Sequence, residues 1–343
     1  MPEISLKIDG KIFNYWSEIK INRAIDSIDS IEFVAPFDHE APGFKDTFKP
    51  FSYKPITVEA DGRLLFTGTM INPRVQLGPG EKSISVSCYS ACGALMDCTA
   101  PASMYPIEYD SQGLRDIAGA LLQPFNVGLT FSDDQGAIFE RVSLDPEQVI
   151  FDFLSGLAKQ RGLLLSSDEA GALLIWRPAS VGLPVARLAE GSGPLISVQP
   201  FFSNQEYYSH ITGIEPVVVG LVGSQYTVRN ERLSGIIRPF CFQVPDTLDA
   251  DIKSATEAKV GRMFGNAVSY QVAINTWEDS RGSLWAPNSI IKLLAPSAMI
   301  YNEYAFTIRS IELTKTASEE TAALDLVLPG SFEGRQPESL PWD

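Results

Sequence analysis

Two stretches of this chain read alike, and an internal repeat constrains a fold more tightly than any single motif. The first runs through residues 56–60, the turn Asp61-Gly62 and residues 63–71, then a polar loop and residues 84–87. The second runs through residues 290–294, a short loop and residues 304–311, then a polar loop and residues 323–328. Each reads strand, turn, strand, loop, strand. Phe66-Thr67 opens a Phe-Thr-x-x-x-Ile core that ends at Ile71, and Phe306-Thr307 opens one that ends at Ile311. The alternative is a chance likeness of two β-hairpins. On the repeat reading, one chain carries two copies of a small β-domain, and three chains close a ring with six near-equivalent positions.

At 343 residues the chain is long enough for two to four domains with substantial cores. With 45% hydrophobic and 20% charged residues it has a globular composition, and its 26 Gly and 23 Pro suit many short strands and turns. The net charge of −15 argues against stable binding to nucleic acid or to anionic lipid, both of which need clustered Lys and Arg. No stable membrane binding is expected, since no apolar run reaches the length of a spanning helix. Met1-Pro2-Glu3-Ile4 lacks the basic and apolar regions of a signal peptide, so synthesis in a reducing cytoplasm is expected. Of Cys88, Cys92, Cys98 and Cys241, only the first two have a zinc-like spacing, and no His is near. All four read as buried free thiols.

Period-two alternation dominates the first hundred residues: Ile4, Leu6 and Ile8, then Ile19 and Ile21, then Ile31 and Phe33. Asp61-Gly62 is a hairpin signal, because tight primed turns need positive φ. Residues 36–55 form a Pro-rich loop whose Phe37, Phe44, Phe48 and Phe51 pack either on a neighbouring surface or on their own domain. Helical spacing follows at 112–122, ended by Pro124. A second helix is expected after Asp145 as N-cap, with Gly162 just past its end. Strands return from about residue 190, interrupted by a helix over 249–264 that Gly265 closes. The fold class is mainly β with α/β insertions (α+β). The expected units are a β-domain over 1–100, a small α/β domain over 101–189, a second β-domain over 190–235 and 269–330, a helical insertion over 236–268, and a C-terminal surface arm over 331–343 with little to bury.

The chemistry-bearing residues do not assemble into a motif. His39 and His210 are the only two histidines, one in the Pro-rich loop and one in a strand. No Gly-x-Ser-x-Gly elbow and no Gly-rich phosphate loop is present. Residues 220–224 read as a glycine-containing turn, and Asp133-Asp134 as a solvated turn without the further oxygens of a calcium loop. Glu108, Asp110 and Glu140 are ordinary surface acids, although a carboxylate pair for glycan hydrolysis leaves no local signature. The expectation is no catalytic residue, no cofactor site and no metal site.

Gly282-Ser283-Leu284-Trp285-Ala286-Pro287-Asn288 precedes a strand, then Pro296 and residues 306–311. This resembles the closing segment of the phage late-control gene D proteins, the baseplate hub family, where a Gly-x-Leu-Trp-x-Pro-Gly turn leads into the last strands. Asn288 replaces the usual Gly but also accepts left-handed geometry. The order of β, α/β and interrupted β regions is also similar, nearest to the Mu-like members. The resemblance implies a structural, non-enzymatic hub in the tail baseplate of a virion, from a contractile phage or a tailocin. It implies a homotrimer whose two tail-tube-like β-barrel domains per chain form a pseudo-six-fold ring. That ring joins the tail tube, or a tube-initiator protein, to a separate central spike protein. Tape-measure and baseplate wedge proteins are further partners, and DNA passes only in transit. Such a ring needs apolar anchors at its seams, for which the 36–55 loop and Phe201-Phe202 are candidates. The acidic balance suits the lumen of a DNA conduit. The alternatives are a hydrolytic tail protein acting on peptidoglycan or glycan, and a peripheral receptor-binding β protein. Trp16, Trp176, Trp277, Trp285 and Trp342 are too scattered for a visible stacking platform.

Overall fold

The computed structural model describes residues 3–343 except 80, 179–181, 216–222, 234, 245–251 and 335–336. Six strands form the first set: β1 (Ile4–Ile8), β2 (Glu18–Ala24), β3 (Ser30–Pro36), β4 (Pro55–Ala60), β5 (Arg63–Gly78) and β6 (Glu81–Ser90). Their alternation does what it predicts. Leu6, Ile19, Ile21, Phe33, Val58 and Val86 turn to one buried face, and polar residues alternate with them. Asp61 (φ +48°) and Gly62 (φ +75°) make the tight turn between β4 and β5. The set is hydrogen-bonded in the order β1-β4-β5-β6-β3-β2.

A second set follows: β7 (Ala186–Ala189), β8 (Leu195–Phe202), β9 (Val268–Ile274), β10 (Ile290–Ala295), β11 (Ile300–Thr316) and β12 (Glu320–Val327). Its order is β7-β10-β11-β12-β9-β8, the same arrangement position for position. One irregularity recurs at the same place in both sets. The β5/β6 ladder shifts register between Met70 and Asn72, and the β11/β12 ladder between Ile308 and Ser310. One difference stands out: β1 runs antiparallel to β4, whereas β7 runs parallel to β10.

The register corrects the sequence alignment. Phe66 lies opposite Val58, and Tyr304 lies opposite Leu293, so the counterpart of Phe66 is Tyr304 and not Phe306. The Phe-Thr likeness is displaced along the strand. A slip by an even number of residues leaves every side chain on its own face, which is why the hydrophobic pattern does not expose it.

The two sets do not form two closed barrels. β2 pairs with β3 on one side and with β11 on the other, over Ser310–Thr316 and Glu18–Ala24, so that both sets, with the short strand Lys11–Ile12 on β1, join in one 13-stranded sheet with no closed barrel among the described residues. β8 ends that sheet on one side.

Between the sets lies a unit with its own core. Helix α1 (Leu114–Leu122) and helix α2 (Ile150–Gln160) bury Leu114, Ile117, Leu121, Leu154 and Leu157 against Ile175 of a small sheet. Helix α2 begins later than expected: residues 145–148 form a turn in which Gln148 donates to the Asp145 carbonyl, and Ile150 N–H bonds to the Cys98 carbonyl. Its end is as expected, with Gly162 at φ +65°.

Between β8 and β9 the chain departs for a second excursion. Strands His210–Ile214, Gln225–Arg229 and Pro239–Gln243 form their own three-stranded sheet. Helix α3 (Ile252–Ala267) covers it, packing Val260 and Phe264 on Ile211. Strands 210–214 and 225–229, expected in the second β-domain, therefore belong with the inserted helix. Asp249, the expected start of that helix, lies outside the described residues. Gly265 does not end α3. It lies inside it, where an added Cβ would sit 2.9 Å from the Ser331 side chain. The tail also differs from the expected loose arm. Leu340 joins the main core, and Trp342 meets Phe202 edge-on at 5.2 Å.

Candidate assembly interface

The β2/β11 junction is built from two chemically distinct faces. On one face Ile19, Ile21, Ile311 and Leu313 are buried. On the other, Glu18, Lys20 and Asn22 of β2 lie in line with Glu32 of β3, Glu312 of β11 and Asp325 of β12. Lys20 meets Glu18 at 3.1 Å, which holds its ammonium above the usual lysine range. Burial raises Asp325, although Arg309 nearby opposes this. The strip is polar, short-chained and predominantly acidic.

Two open stretches of the sheet's edge bear on assembly. β8 pairs with β9 on one side only. β5 outruns β4: its pairing with β4 reaches no further than Thr69, whereas its pairing with β6 runs on to Gly78. Both edges carry exposed apolar side chains: Ile196 and Phe201 on β8, Val75 and Leu77 on β5. A cleft of about 500 Å³ beside β8 is lined by Phe202, Tyr207, Arg232, Met299, Leu340 and Trp342. In the 36–55 loop the aromatics mostly pack inward, with Phe44 and Phe48 at 4.8 Å and Phe48 against Phe13 at 5.6 Å. Phe51 and Tyr53 remain exposed, both at positive φ, a costly geometry for aromatic residues.

A buried polar cluster fastens the first set to the unit that follows it. Arg23 on β2 donates through Nε to Asp29 Oδ2 at 3.0 Å and through Nη2 to Glu169 Oε1 at 2.7 Å. Asp29 N–H donates to Ser167 Oγ, and its carbonyl accepts from Ser90 N–H. Burial lifts the Asp29 carboxyl to about 7 even though Arg23 pulls the other way. Sequence inspection misses this cluster because its members are far apart in the chain, and no local spacing links Arg23 to Glu169.

The residues weighed for chemistry are dispersed. His39 is exposed, with Nε2 3.8 Å from Glu40, and His210 Nδ1 meets Ser209 Oγ at 2.9 Å. Glu108 and Asp110 share Arg141, at 2.5 and 3.8 Å, while Glu140 is exposed on the same strand as Arg141. Asp133 accepts from Arg177 N–H and Asp134 from Gly136 N–H. Of residues 220–224, the first three lie outside the described set. Cys88 and Cys92 are buried thiols pushed well up by burial. Cys98 is half-buried and Cys241 exposed, so the reading of four buried thiols holds for only two. Trp277 and Trp285 are core residues whose indole N–H groups donate to main-chain carbonyls. Among the described residues no His, Cys, Asp and Glu group is arranged to hold a metal ion, and no helix is long and apolar enough to cross a membrane. Asn288 takes φ +64° and donates to the Ile308 carbonyl at 2.8 Å, the turn that the family resemblance required.

In fold and in sequence the chain is similar to phage baseplate hub and tail proteins. Residues 92–177 match the family model for the second domain of baseplate hub protein gp44-like proteins. Over 302 residues the chain is 24% identical to baseplate hub protein gp44 of Escherichia phage Mu, covering 84% of this chain and 78% of that one. The 43 kDa tail protein of prophage MuSo2 from Shewanella oneidensis has the same fold, with a TM-score of 0.81 at 22% identity, over 96% of this chain and 99% of that one. The E. coli c3393 protein, a component of the type VI secretion system, aligns with a TM-score of 0.59 at 11% identity, over 97% of this chain and 79% of that one.

Proposed function

We propose that three copies of this chain form the hub ring of a contractile tail, joining a six-fold tube to a three-fold central spike around the DNA channel. The observation that carries this reading is the repeated strand order. One chain presents the same six-strand arrangement twice, joined edge to edge through β2 and β11, so three chains supply six similar units. A three-fold partner then sees three identical chains, while a six-fold partner sees six similar surfaces. The fold shared with the E. coli type VI secretion component, itself structurally similar to T4 bacteriophage tail proteins gp27 and gp5, supports a place in a tail assembly. The hub is a scaffold: its role needs edges and faces, not a catalytic pocket. The boundaries proposed for the ring-forming units are residues 3–90 and 186–328, less the excursion over 203–267.

Light scattering or native mass spectrometry tests the stoichiometry. Three times the 37.5 kDa chain mass is expected. A strict monomer, both in solution and in the assembled particle, would sink the ring.

A further inference from the structure

We propose that the open edge of β8 in one copy pairs antiparallel with the open half of β5 in the next, and that this contact closes the ring in a defined register. The proposal rests on the ring reading and adds the seam to it. Its template lies inside the chain. β2 adds to the far half of β11, with Ile21 opposite Leu313, Lys20 opposite Thr314 and Ile19 opposite Lys315. β8 holds in the second set the place of β2 in the first, and β5 holds the place of β11. The seam inside the chain is therefore β2 on β11, and its equivalent between chains is β8 on β5.

The shared irregularities fix the alignment. Met70/Asn72 and Ile308/Ser310 mark the same point, so Val75 corresponds to Leu313, Gln76 to Thr314 and Leu77 to Lys315. Followed through β3 and β9, Ile19 corresponds to Val198, Lys20 to Gln199 and Ile21 to Pro200. Transferring the internal register sets Leu77 opposite Val198, Gln76 opposite Gln199, Val75 opposite Pro200 and Arg74 opposite Phe201. The last pair places a guanidinium across from an exposed ring.

Burial gives an independent reason. Ile19, Ile21 and Leu313 are at most 2% exposed, whereas Val75 is 43% and Leu77 66% exposed. Apolar side chains stand in water where their counterparts inside the chain are covered. An uncovered apolar strand edge invites pairing. The main chain points the right way as well. Ser203 N–H bonds to Ala267 on the β9 side, so the alternate residues Val198, Pro200 and Phe202 turn their main-chain groups outward. Pro73 and Pro200 bring no N–H to these edges. They keep acceptor carbonyls but make both edges poor templates for arbitrary strands.

A disulfide trap tests the register. Gln76→Cys with Gln199→Cys, in a Cys241→Ser background, places two thiols across a non-hydrogen-bonded pair, where β-carbons approach closely. Mild oxidation is expected to give covalent oligomers ending at a closed trimer, reversed by reductant. The displaced pair Gln76→Cys with Ser197→Cys should cross-link far less. Leu77→Asp should weaken assembly about tenfold or more with an unchanged melting temperature, because Leu77 is exposed in the single chain. A protein that is trimeric by light scattering yet fails to cross-link, or is indifferent to Leu77→Asp, overturns the seam and leaves the ring standing. A monomer under all conditions overturns both.

Discussion

Asp29 is a carboxyl that this fold buries at the joint between two units. Its acidity sets a pH dependence opposite to that of most carboxylates. The usual value of 3.8 rises to about 7, so between these limits the native state holds a proton that the unfolded chain has lost. Stability from this group is full below about 4 and is lost as pH rises through about 7. Asp29→Asn removes the titration. The melting temperature of the wild type, relative to Asp29→Asn, is therefore expected to fall between about pH 4 and about pH 7 and to level off above that. A difference that does not move with pH would mean that Asp29 titrates as in a free peptide. Arg23→Ala should cost about 1–3 kcal/mol in a urea melt, since it leaves the buried Asp29 carboxyl without its side-chain hydrogen-bond donor. The legible residues were those whose demand is local. Asp61-Gly62, Gly162 and Asn288 each answer a φ requirement that the neighbouring residues announce. Asp29 and Arg23 answer to Glu169 and Ser167, far away in the chain, and so read as ordinary surface charges.

At the scale of elements, two helical glycines make opposite predictions. Gly156 in α2 has open space where a Cβ would go, whereas a Cβ on Gly261 in α3 would sit 2.6 Å from the Ser331 carbonyl and 2.9 Å from Gly334 Cα. Replacing a helical Gly by Ala gains roughly 0.5–1 kcal/mol of backbone entropy. Gly156→Ala is expected to keep that gain. At Gly261 the contact is with main chain, which cannot rotate away, so Gly261→Ala should cost about 1–3 kcal/mol net. Urea midpoints for the two variants should move in opposite directions, and a shift of the same sign in both would break this account of how α3 docks on the tail. These glycines also explain what the sequence conceals at this scale. Alternation located most of the strands, because burial on one face writes a period of two into the residues. The end of α3 and the docked tail were not legible. Gly265 looks the same whether it stops a helix or lets another segment approach it, and Leu340 and Trp342 lie in a Pro-containing stretch that reads as an arm until their partners Phe202 and the main core are in place.

For the whole molecule, the repeat was visible but its register was not, and in the proposed ring the register decides which face meets the channel. Across the β2/β11 junction one face is the apolar core. The other carries Glu18, Glu32, Glu312 and Asp325 with Lys20, amid Ser, Thr, Asn and Gln. If that polar face lines the ring, the −15 net charge of the chain has a use beyond solubility. DNA presents about one negative charge per 1.7 Å of its axis, and each phosphate neutralised by a cation adds salt-dependent affinity. A lumen that bound the duplex would hold it back. An acidic lumen repels it over about a Debye length, ~8 Å at physiological salt, and lets it pass. Reversing two of these charges should therefore create a trap. The double variant Glu32→Lys with Glu312→Lys is expected to keep the ring's mass and melting temperature, since Glu32 and Glu312 are exposed. It should retain short duplex DNA at low salt and release it steeply as salt rises, while the wild-type ring retains none. Retention by the wild type would refute the acidic lumen. An intact variant ring with no gain in retention would place this face outside the channel, and would turn the search to the opposite side of the sheet.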